Sequence, residues 1–490
     1  MLRTILLCGA VAMVGTAGAA APGDTAGIIA KVERGLQSHV KIAGQPDSSF
    51  SIEERMRHYK VPGLSIAVID QGKIVWARGY GKLQAGGDAK VTPDTLFQAG
   101  SISKPVAAVA ALTLVQDGKL SLDANVNDSL KGWQVLDNQF TATEKVTLRR
   151  ILSHNAGLTV HGFGGYAVGE QRPTVIQVLN GAKPANSAPV VVDVVPGSIS
   201  RYSGGGYTIM QKLAQDVSGV PFAELLQQRV LTPMQMTSST YQQPLPEALA
   251  RRAATGHELG DTPVTGKWHV YPELAAAGLW TTPSDLAHWV IGMQHAYHGQ
   301  SKVLTQAMTR QMMTPQFKEW GLGVVLTGEG KDKTFTHGGR NEGFVANVWG
   351  SLEGGRGVAV MTNGTSNGLL QEVDASIRSA YGWPAGTKRV ERSLGKPASG
   401  LLDGAVGHYA LKDPAAPAVT IERNGDHLRL GLAGMREMVL LPEGGNVFFD
   451  TDTGMRVKFE AAPGSAPGAP ISRVSIAVGD SETYVAERVK

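Results

Sequence analysis

The sequence predicts an α+β fold, in which an antiparallel sheet is flanked by helices and followed by a small all-β domain. Strand-like runs lie towards both ends of residues 24–385, and helix-like segments fill the middle. After residue 400 the chain changes to short alternating runs that are split by turn residues. Strands contributed to one sheet from both ends of a segment indicate an antiparallel arrangement with helices packed on it.

The N-terminal part is predicted to contain a helix from Gly27 to Val40 and then a β-hairpin. The two hairpin strands, residues 64–69 and 73–77, are apolar and rich in β-branched side chains. The polar residues 70–72 separate them and end in glycine, which is typical of a tight antiparallel turn. The hairpin therefore supplies the first strands of the sheet.

The middle of the chain is predicted to be helical. The apolar stretch from Pro105 to Val115 predicts a buried helix, which the following Asp-Gly pair ends. Further helices are predicted at residues 145–153, 207–218, 221–230, 283–298, 304–313 and 367–380. Strand composition returns at residues 322–327, 344–350 and 357–362, which would complete the sheet.

The C-terminal part is predicted to be a separate β domain. Residues 382–401 are rich in Pro, Gly and Lys, and a linker is expected at 386–400. Within residues 401–490, regular spacing of short strands and turns favours a small barrel or sandwich. Its predicted strands are residues 418–422, 427–432, 438–441, 446–450, 455–459, 474–478 and 484–487.

Composition excludes two classes of protein. Of the 490 residues, 42% are hydrophobic and 18% are charged, which excludes global disorder. The formal charge of +4 comes without any block of like charges, so no basic surface for nucleic acid is predicted.

Residues 1–20 have the pattern of a cleavable secretory signal peptide. Arg3 precedes an apolar stretch at residues 5–14, and small residues follow at 17–19. The stretch is too short to span a membrane. The only cysteine, Cys8, would leave with it, which excludes disulfides, cysteine nucleophiles and cysteine metal ligands from the mature chain. We therefore expect a periplasmic or secreted protein whose mature chain is not inserted in a membrane.

The pattern Ser-x-x-Lys occurs three times, as Ser38–Lys41, Ser101–Lys104 and Ser393–Lys396. A nucleophilic serine needs a base within hydrogen-bond reach, and residues three apart on a helix share one face. Burial favours the neutral, basic form of a lysine, and a helix N-terminus offers free backbone N–H groups. Ser101–Lys104 meets these requirements, because it begins the predicted buried helix. The other two pairs lie in polar or linker segments.

A rival nucleophile is Ser366, which lies in a Gly-x-Ser-x-Gly pattern between a predicted strand and a predicted helix. The Asp and His of such a triad must follow the serine in sequence. Only Asp374 and either His408 or His427 remain, in a helix and in the β-rich tail. We therefore interpret this pattern as a turn.

A metal site is not predicted. The sequence contains no His-Glu-x-x-His, and the pair His295 and His298 lies at the polar end of a predicted helix. We expect solvated histidines there, and no metal or cofactor.

Three motifs follow one another in the chain: Ser-Ile-Ser-Lys at 101–104, Tyr-Ser-Gly at 202–204 and His-Gly-Gly at 337–339. With them the chain resembles, over roughly residues 50–385, the serine β-lactamase and penicillin-binding-protein superfamily in its class C β-lactamase-like branch. The stretches 146–154 and 277–282 also fit this branch. The resemblance implies a β-lactamase/transpeptidase-like sheet with an all-helical subdomain. The tail from residue 401 resembles the lipocalin-like domain that often follows such domains.

The resemblance also implies catalytic roles. Ser101 would be the acylated nucleophile, and Lys104 its proton partner. Tyr202 matches the tyrosine that shares acid and base duty in the family, and which of the two acts as the base stays open.

The third motif would form the opposite wall of the site. His337 stands where the family has a strand lysine, and Gly338 and Gly339 follow it beside the substrate. The oxyanion would be held by the backbone N–H groups of Ser101 and Arg340.

Two departures from the family pattern weaken the interpretation as a β-lactamase. Gly204 stands where the family has an asparagine that contacts substrate, and His337 replaces a permanent cation. With an ordinary pKa of about 6.5, this imidazole would be mostly neutral at a pH of about 7.5 and would gain charge towards a pH of about 6.

The resemblance implies an exported, metal-independent serine hydrolase that acts on a small-molecule or peptide substrate. Amide bonds in unusual or D-residue peptides are favoured, with a carboxylesterase or a β-lactamase as the alternatives. The non-enzymatic alternative is a penicillin-binding sensor module. Specificity is expected to depend on the loops at 160–200 and 255–275.

Overall fold

The computed structural model describes residues 25–411, 418–432, 437–462, 464–465, 469–478 and 482–489. The predicted signal peptide, together with Cys8, lies outside these residues. Within them the α+β class is confirmed, as is the all-β character of the C-terminal part.

The central sheet has six antiparallel strands, and both ends of the predicted segment contribute to it. In spatial order the strands are Lys73–Gly81, Gly63–Asp70, Gly357–Thr362, Phe344–Ser351, Thr334–Asn341 and Val325–Thr327. The strand Thr334–Asn341 carries the His-Gly-Gly motif. Since the short strand Val325–Thr327 pairs only with residues 334–336, the edge of residues 337–340 is free of that strand.

Helices cover both faces of the sheet. Alternating side chains of each strand pack against the helices on one face and then on the other. Leu64, Ile66 and Val68 face the core formed with Thr25–Arg34, Ile52–Tyr59 and Asn367–Tyr381. The opposite core includes the helices Ser103–Gln116, Leu148–Leu152, Val175–Asn180, Gly204–Ser218, Phe222–Leu226, Glu247–Ala250, Leu274–Ala277, Pro283–Tyr297 and Gln306–Met312. In the described part of the chain, no helix combines the length and apolar character needed to cross a membrane.

The first helix is shorter than the sequence predicted. It ends at Arg34, before Gly35, whereas the prediction ran to Val40. Leu36 instead exchanges backbone hydrogen bonds with Phe50, and Val40–Ile42 forms a strand that pairs in parallel with Val390–Arg392. Apolar spacing alone did not distinguish these non-helical contacts from a continued helix.

The segment 386–400 therefore contains a strand, Val390–Arg392, although a linker was expected there. Beyond it lies the one-turn helix Leu401–Gly404. The domain boundaries at 385, 400 and 490 stay predictions.

The C-terminal strands form a closed eight-stranded barrel, so of the two predicted architectures the barrel is correct. The strands are Gly407–Leu411, Val419–Asn424, His427–Leu432, Met438–Gly444, Val447–Asp450, Arg456–Ala461, Ile471–Val478 and Glu482–Arg488. The first was missed by the prediction, and it closes the barrel because it pairs with both the second and the last. Buried side chains such as Leu428, Leu440, Phe448 and Phe459 form the barrel core.

A buried ionic contact joins the barrel to the helix Asn367–Tyr381. Arg55 donates to both carboxylate oxygens of Glu372 at 2.6 Å and to Asp452 of the barrel at 3.3 Å. His58 lies 3.0 Å from the same Asp452 carboxylate. Because these charged groups are mostly removed from solvent, removing one of them would leave the charges of its partners uncompensated.

Candidate active site

Ser101 lies in a short turn that leads into the helix Ser103–Gln116 and packs against the free edge of the central sheet. Gly100, which precedes it, has a φ of +52°, and a Cβ at this position would collide with the backbone nitrogen of Arg340. A Cβ on Gly339 would likewise collide with the carbonyl oxygen of the residue before the turn. The two glycines therefore allow the turn and the strand to approach closely.

Replacing Gly100 by alanine is expected to reduce kcat/KM by about 10²-fold, because a displacement of about 1 Å at the nucleophile is enough for such a loss. The matched control is Gly118→Ala, since Gly118 also has a positive φ, +69°, but no atom lies within 4 Å of the position of its Cβ. Steady-state kinetics and thermal unfolding of both variants check this. Equal activity of the two variants would contradict it.

Lys104 lies in the first turn of the helix, and only 2% of its surface is exposed. Its Nζ donates to Ser101 Oγ at 2.9 Å and to the carbonyl of Ala276 at 2.8 Å. None of the ion pairs in the described part of the chain involves this lysine. Burial without a counter-charge lowers the pKa of Lys104 to about 7, so the amine can lose its proton near neutral pH.

Tyr202 lies two residues before the start of the helix Gly204–Ser218 and faces the same lysine. The Nζ of Lys104 is 4.9 Å from the centroid of its ring. Ser203, next to it, caps the helix by accepting from the N–H of Gly206 at 2.9 Å. Burial raises the pKa of Tyr202 well above its ordinary value, and hydrogen bonding to Ser101 only partly opposes this rise. The phenol thus keeps its proton at neutral pH.

Gly204, which departs from the family's asparagine, lies in tight contact with the loop at 161–163. A Cβ here would lie 3.1 Å from the carbonyl oxygen of His161 and 3.1 Å from the ring of Phe163. The loop at 161–163 thus fills the space beside this position, and the same loop lines one of the clefts at Ser101.

His337 is buried in the strand Thr334–Asn341, with 5% of its surface exposed. Its Nδ1 lies 2.6 Å from the carbonyl oxygen of Gly338. Burial, and then the positive charge of Lys104, lower the pKa of His337 to about 3. The expectation that this imidazole gains charge near a pH of about 6 is therefore wrong.

Two clefts meet at Ser101. The larger, of about 650 Å³, runs past His337 to Asn347 and the helix Asn367–Tyr381, and the smaller has about 290 Å³. The residues that line both are Ser101, His161, Tyr202 and Arg340. The smaller cleft has an apolar and aromatic wall formed by Phe163, Tyr271, Ala276 and Ala277, and polar lining from Lys104, Asn341 and Glu342.

The structure thus brings together Ser101, Lys104, Tyr202, His337, Gly338, Gly339 and Arg340, all named from the sequence. Other candidates lie elsewhere. Ser366 caps the helix Asn367–Tyr381 by accepting from the N–H of Leu369. The hydroxyl of Ser38 donates to the carbonyl of Thr451, and Ser393 is exposed.

Sequence reasoning missed three ring-bearing residues of the site, of which His161 lies 4.9 Å from the Tyr202 ring and the other two are His154 and Trp320. The ring of His154 stacks on Tyr202 with 4.2 Å between centroids, and that of Trp320 lies 4.5 Å from His154. His154 lies in the stretch 146–154, which fits the family, but the sequence predicts no role for it. Because His154, Tyr202 and Trp320 are distant in sequence, no local pattern indicated that their rings meet.

Comparison with known proteins agrees with this architecture. A family model described as Beta-lactamase matches residues 51–382. Penicillin-binding protein 4 of Amycolatopsis lactamdurans is 32% identical over 225 residues, which are 45% of this chain and 55% of that protein. The chain thus matches about half the length of this relative.

Two solved structures share the fold. The octameric penicillin-binding protein homologue from Pyrococcus abyssi superimposes with a TM-score of 0.60 at 21% identity, over 89% of this chain and 98% of the other. The D-amino acid amidase from Ochrobactrum anthropi SV3 superimposes with a TM-score of 0.55 at 21% identity, over 67% of this chain and 96% of the other. Because the family model covers more than half of the sequence, the chain belongs to the beta-lactamase family of serine hydrolases.

Proposed function

We propose that this protein hydrolyses amide bonds in peptides, including peptides with D-residues, through an acyl-enzyme on Ser101. The observation that carries the proposal is the 2.9 Å hydrogen bond between Ser101 Oγ and the buried amine of Lys104, whose pKa is about 7. A serine with a neutral amine as its base is an activated nucleophile.

In the first step, Ser101 Oγ attacks the carbonyl carbon of the substrate, and its proton passes to Lys104 Nζ. The base is assigned to Lys104 because its pKa lies near neutrality, whereas burial keeps Tyr202 protonated. The negative oxygen of the tetrahedral intermediate accepts from the backbone N–H groups of Ser101 and Arg340. One such donor contributes about 2.7–4 kcal/mol in comparable sites.

In the second step, the C–N bond breaks and the leaving amine takes a proton from Tyr202, which recovers one from Lys104. Water then attacks the ester carbon and gives a proton to Lys104. The bond between this carbon and Ser101 Oγ breaks, Ser101 Oγ takes the proton back from Lys104, and the acid product leaves. An amine is a poor leaving group unless it is protonated. A phenol that stays protonated beside the nucleophile therefore favours amides as substrates, while an activated ester has less need of it.

The clefts support a substrate with groups on both sides of the scissile bond. The apolar wall of Phe163 and Tyr271 suits a hydrophobic side chain of the acyl group. The exposed Arg340 lines both clefts and offers a cation to an acidic group at their mouth. The D-residue preference is supported by the similarity in fold to a D-amino acid amidase.

A panel of substrates tests the proposal: D- and L-aminoacyl amides, p-nitrophenyl acetate and nitrocefin. The rate for each substrate is also measured with the Ser101→Ala variant as the control. We expect Ser101-dependent hydrolysis of the amides, with the D-forms preferred. Cleavage of the ester alone would identify an esterase. A kcat/KM that is highest for nitrocefin would identify a β-lactamase. Penicillin binding without turnover of any substrate would identify a sensor module.

Replacing His337 by lysine is expected to raise the ratio of kcat/KM for nitrocefin to that for p-nitrophenyl acetate by about tenfold, which corresponds to ~1.4 kcal/mol. His337 is neutral, so the native wall presents no charge there to the carboxylate of a β-lactam. A lysine would add a cation that the neutral ester does not need. The ratio is measured in both proteins at one mildly alkaline pH, and an unchanged or lower ratio would contradict the assigned position of His337.

The cellular location of the protein is proposed from the sequence. The pattern at residues 1–20 supports export by a cleavable signal peptide, and we propose a periplasmic or secreted enzyme. We further propose that catalysis lies within 24–385 and that 386–400 joins it to the β domain 401–490. The amount of precursor and mature chain after expression, resolved by intact mass, tests the cleavage.

A further inference from the structure

The smaller of the two clefts at Ser101 has an acidic residue that the catalytic steps above do not use. Among the described residues that line this cleft, Glu342 is the only acidic one, and it is half-buried. Within the part of the chain that the structure describes, its carboxylate takes part in no ion pair and accepts no hydrogen bond. Such a carboxylate can accept strong hydrogen bonds from a cationic group of the substrate.

Backbone contacts fix the position of Glu342. Together with Gly343 it forms the turn that joins the strand of the His-Gly-Gly motif to the next strand. The N–H of Glu342 donates to the hydroxyl of Tyr271 at 2.9 Å, and the carbonyl of Gly343 accepts from the N–H of His257 at 3.2 Å. Gly343 has a φ of +75°, and a Cβ there would lie only 2.6 Å from the nitrogen of His257. The turn is therefore held closely against its neighbours.

The carboxylate of Glu342 lies near the aromatic wall of the cleft. Burial raises the pKa of the Tyr271 phenol, and the negative charge of Glu342 adds to that rise, which places the carboxylate close to the phenol. The hydroxyl of Tyr271 donates its single proton to the carbonyl of Gly164 at 3.3 Å. This proton is therefore not available to Glu342, whose oxygens remain free for a donor of the substrate.

The chain itself limits the distance between this carboxylate and the scissile bond. The backbone N–H of Arg340, the proposed oxyanion donor, belongs to the second residue before Glu342, and two residues span at most about 7 Å. In an aminoacyl substrate, the α-amino nitrogen is two bonds from the carbonyl carbon that Ser101 attacks. A glutamate side chain, with two methylene groups, is long enough to reach back towards this nitrogen.

The size of the cleft limits the acyl group of the substrate. Its volume of about 290 Å³ is that of about ten water molecules at about 30 Å³ each. This is room for about one amino-acid residue and excludes a long acyl chain. Phe163 and Tyr271 form a wall for the side chain of that residue, and Glu342 lies beside the wall.

We propose that Glu342 determines specificity by binding the α-ammonium group of the acyl residue, so that the enzyme releases N-terminal residues from peptides and hydrolyses aminoacyl amides. This proposal rests on the proposed function and narrows its substrate class to amides whose acyl residue has a free α-amino group. The alternative is an ion pair between Glu342 and the exposed Arg340, which would neutralise the carboxylate and remove any preference for an amine.

A matched pair of substrates isolates the contribution of the ammonium group. D-Phenylalanine amide carries this group, and hydrocinnamamide has the same carbon skeleton without it. Glu342→Gln keeps the shape of the side chain and removes its charge. Glu329→Gln is the matched control, because Glu329 is exposed and lines neither cleft. The ratio of kcat/KM for the two amides, followed by the release of ammonia, is compared between the variants, so that the different intrinsic reactivities of the amides cancel.

We expect Glu342→Gln to lower this ratio by about 10–100-fold, because a charge-assisted hydrogen bond to the substrate is lost. Glu329→Gln should leave the ratio within about twofold of the native value. In glycyl-D-phenylalanine amide the amine lies one residue further from the scissile bond, so the native enzyme should release ammonia from it more slowly than from D-phenylalanine amide. An unchanged ratio in a folded Glu342→Gln protein, or faster release from the glycyl amide, would overturn the proposal.

Binding distinguishes a failure of this proposal from a failure of the proposed function. In the Ser101→Ala background, which cannot form the acyl-enzyme, calorimetry measures the Kd of D-phenylalanine amide and of hydrocinnamamide. We expect Glu342→Gln to weaken the binding of D-phenylalanine amide by about tenfold or more relative to that of hydrocinnamamide. Hydrolysis by the native protein without this difference would overturn the proposal for Glu342 alone. The difference in Kd without any hydrolysis would support Glu342 as the ammonium site and overturn only the proposed function.

Discussion

Ser101→Ala is expected to reduce kcat by on the order of 10⁶-fold, the loss seen when the nucleophile of a comparable serine hydrolase is removed. The fold should survive, because the Ser101 side chain is only partly buried and Lys104 keeps its hydrogen bond to the carbonyl of Ala276. Turnover of the preferred amide, together with circular dichroism and thermal unfolding, checks both parts of this result.

The matched control is Ser366→Ala, which removes the serine of the Gly-x-Ser-x-Gly pattern. Ser366 caps a helix, so its loss should cost about 1 kcal/mol in the free energy of unfolding and leave kcat unchanged. If the Ser366 variant were inactive and the Ser101 variant active, the assigned nucleophile would be wrong.

Lys104→Arg is expected to lower kcat/KM by about 10²–10⁴-fold, because a guanidinium stays protonated and cannot act as the general base. Arginine would also bring a permanent charge into a site that buries the native amine. Lys104→Met is therefore made in parallel, since this side chain is unbranched and apolar and suits the buried position. A folded methionine variant that retains more than about a tenth of the native activity would contradict the role of Lys104 as base.

The pH profile of the native enzyme should show the titration of Lys104. The neutral form of Lys104 increases as the pH rises through about 7, so kcat/KM should rise about tenfold per pH unit below this value and level off above it. Burial raises the pKa of Tyr202 and lowers the pKa values of His337 and His154, so these groups do not titrate in that range. A rate that is constant between a pH of about 5 and 8 would contradict this assignment.

Much of the sheet could be predicted because its signals are local. The hairpin of Gly63–Asp70 and Lys73–Gly81 combines β-branched strands with a glycine-containing turn, and Phe344–Ser351 and Gly357–Thr362 are mostly apolar. The barrel strand Gly407–Leu411 was missed because nothing local distinguishes it. One of its partner strands lies about 10 residues away in sequence and the other about 80.

Only part of the candidate site could be predicted from the sequence. The Ser101–Lys104 spacing and the buried helix after it are local properties, so they could be found. The pKa of His337 could not, because it depends on burial and on a lysine that only the fold brings near. The tight contact between Gly204 and the loop at 161–163 is likewise revealed by the fold alone.

The most direct test of the central claim is mass spectrometry after reaction with a fluorophosphonate, which labels activated serines covalently. The account predicts one adduct per chain, on the peptide that contains Ser101, with labelling lost in Ser101→Ala and slowed in Lys104→Met. Labelling of Ser366 or any other serine instead, or no adduct on the folded protein, would contradict an acyl-enzyme on Ser101.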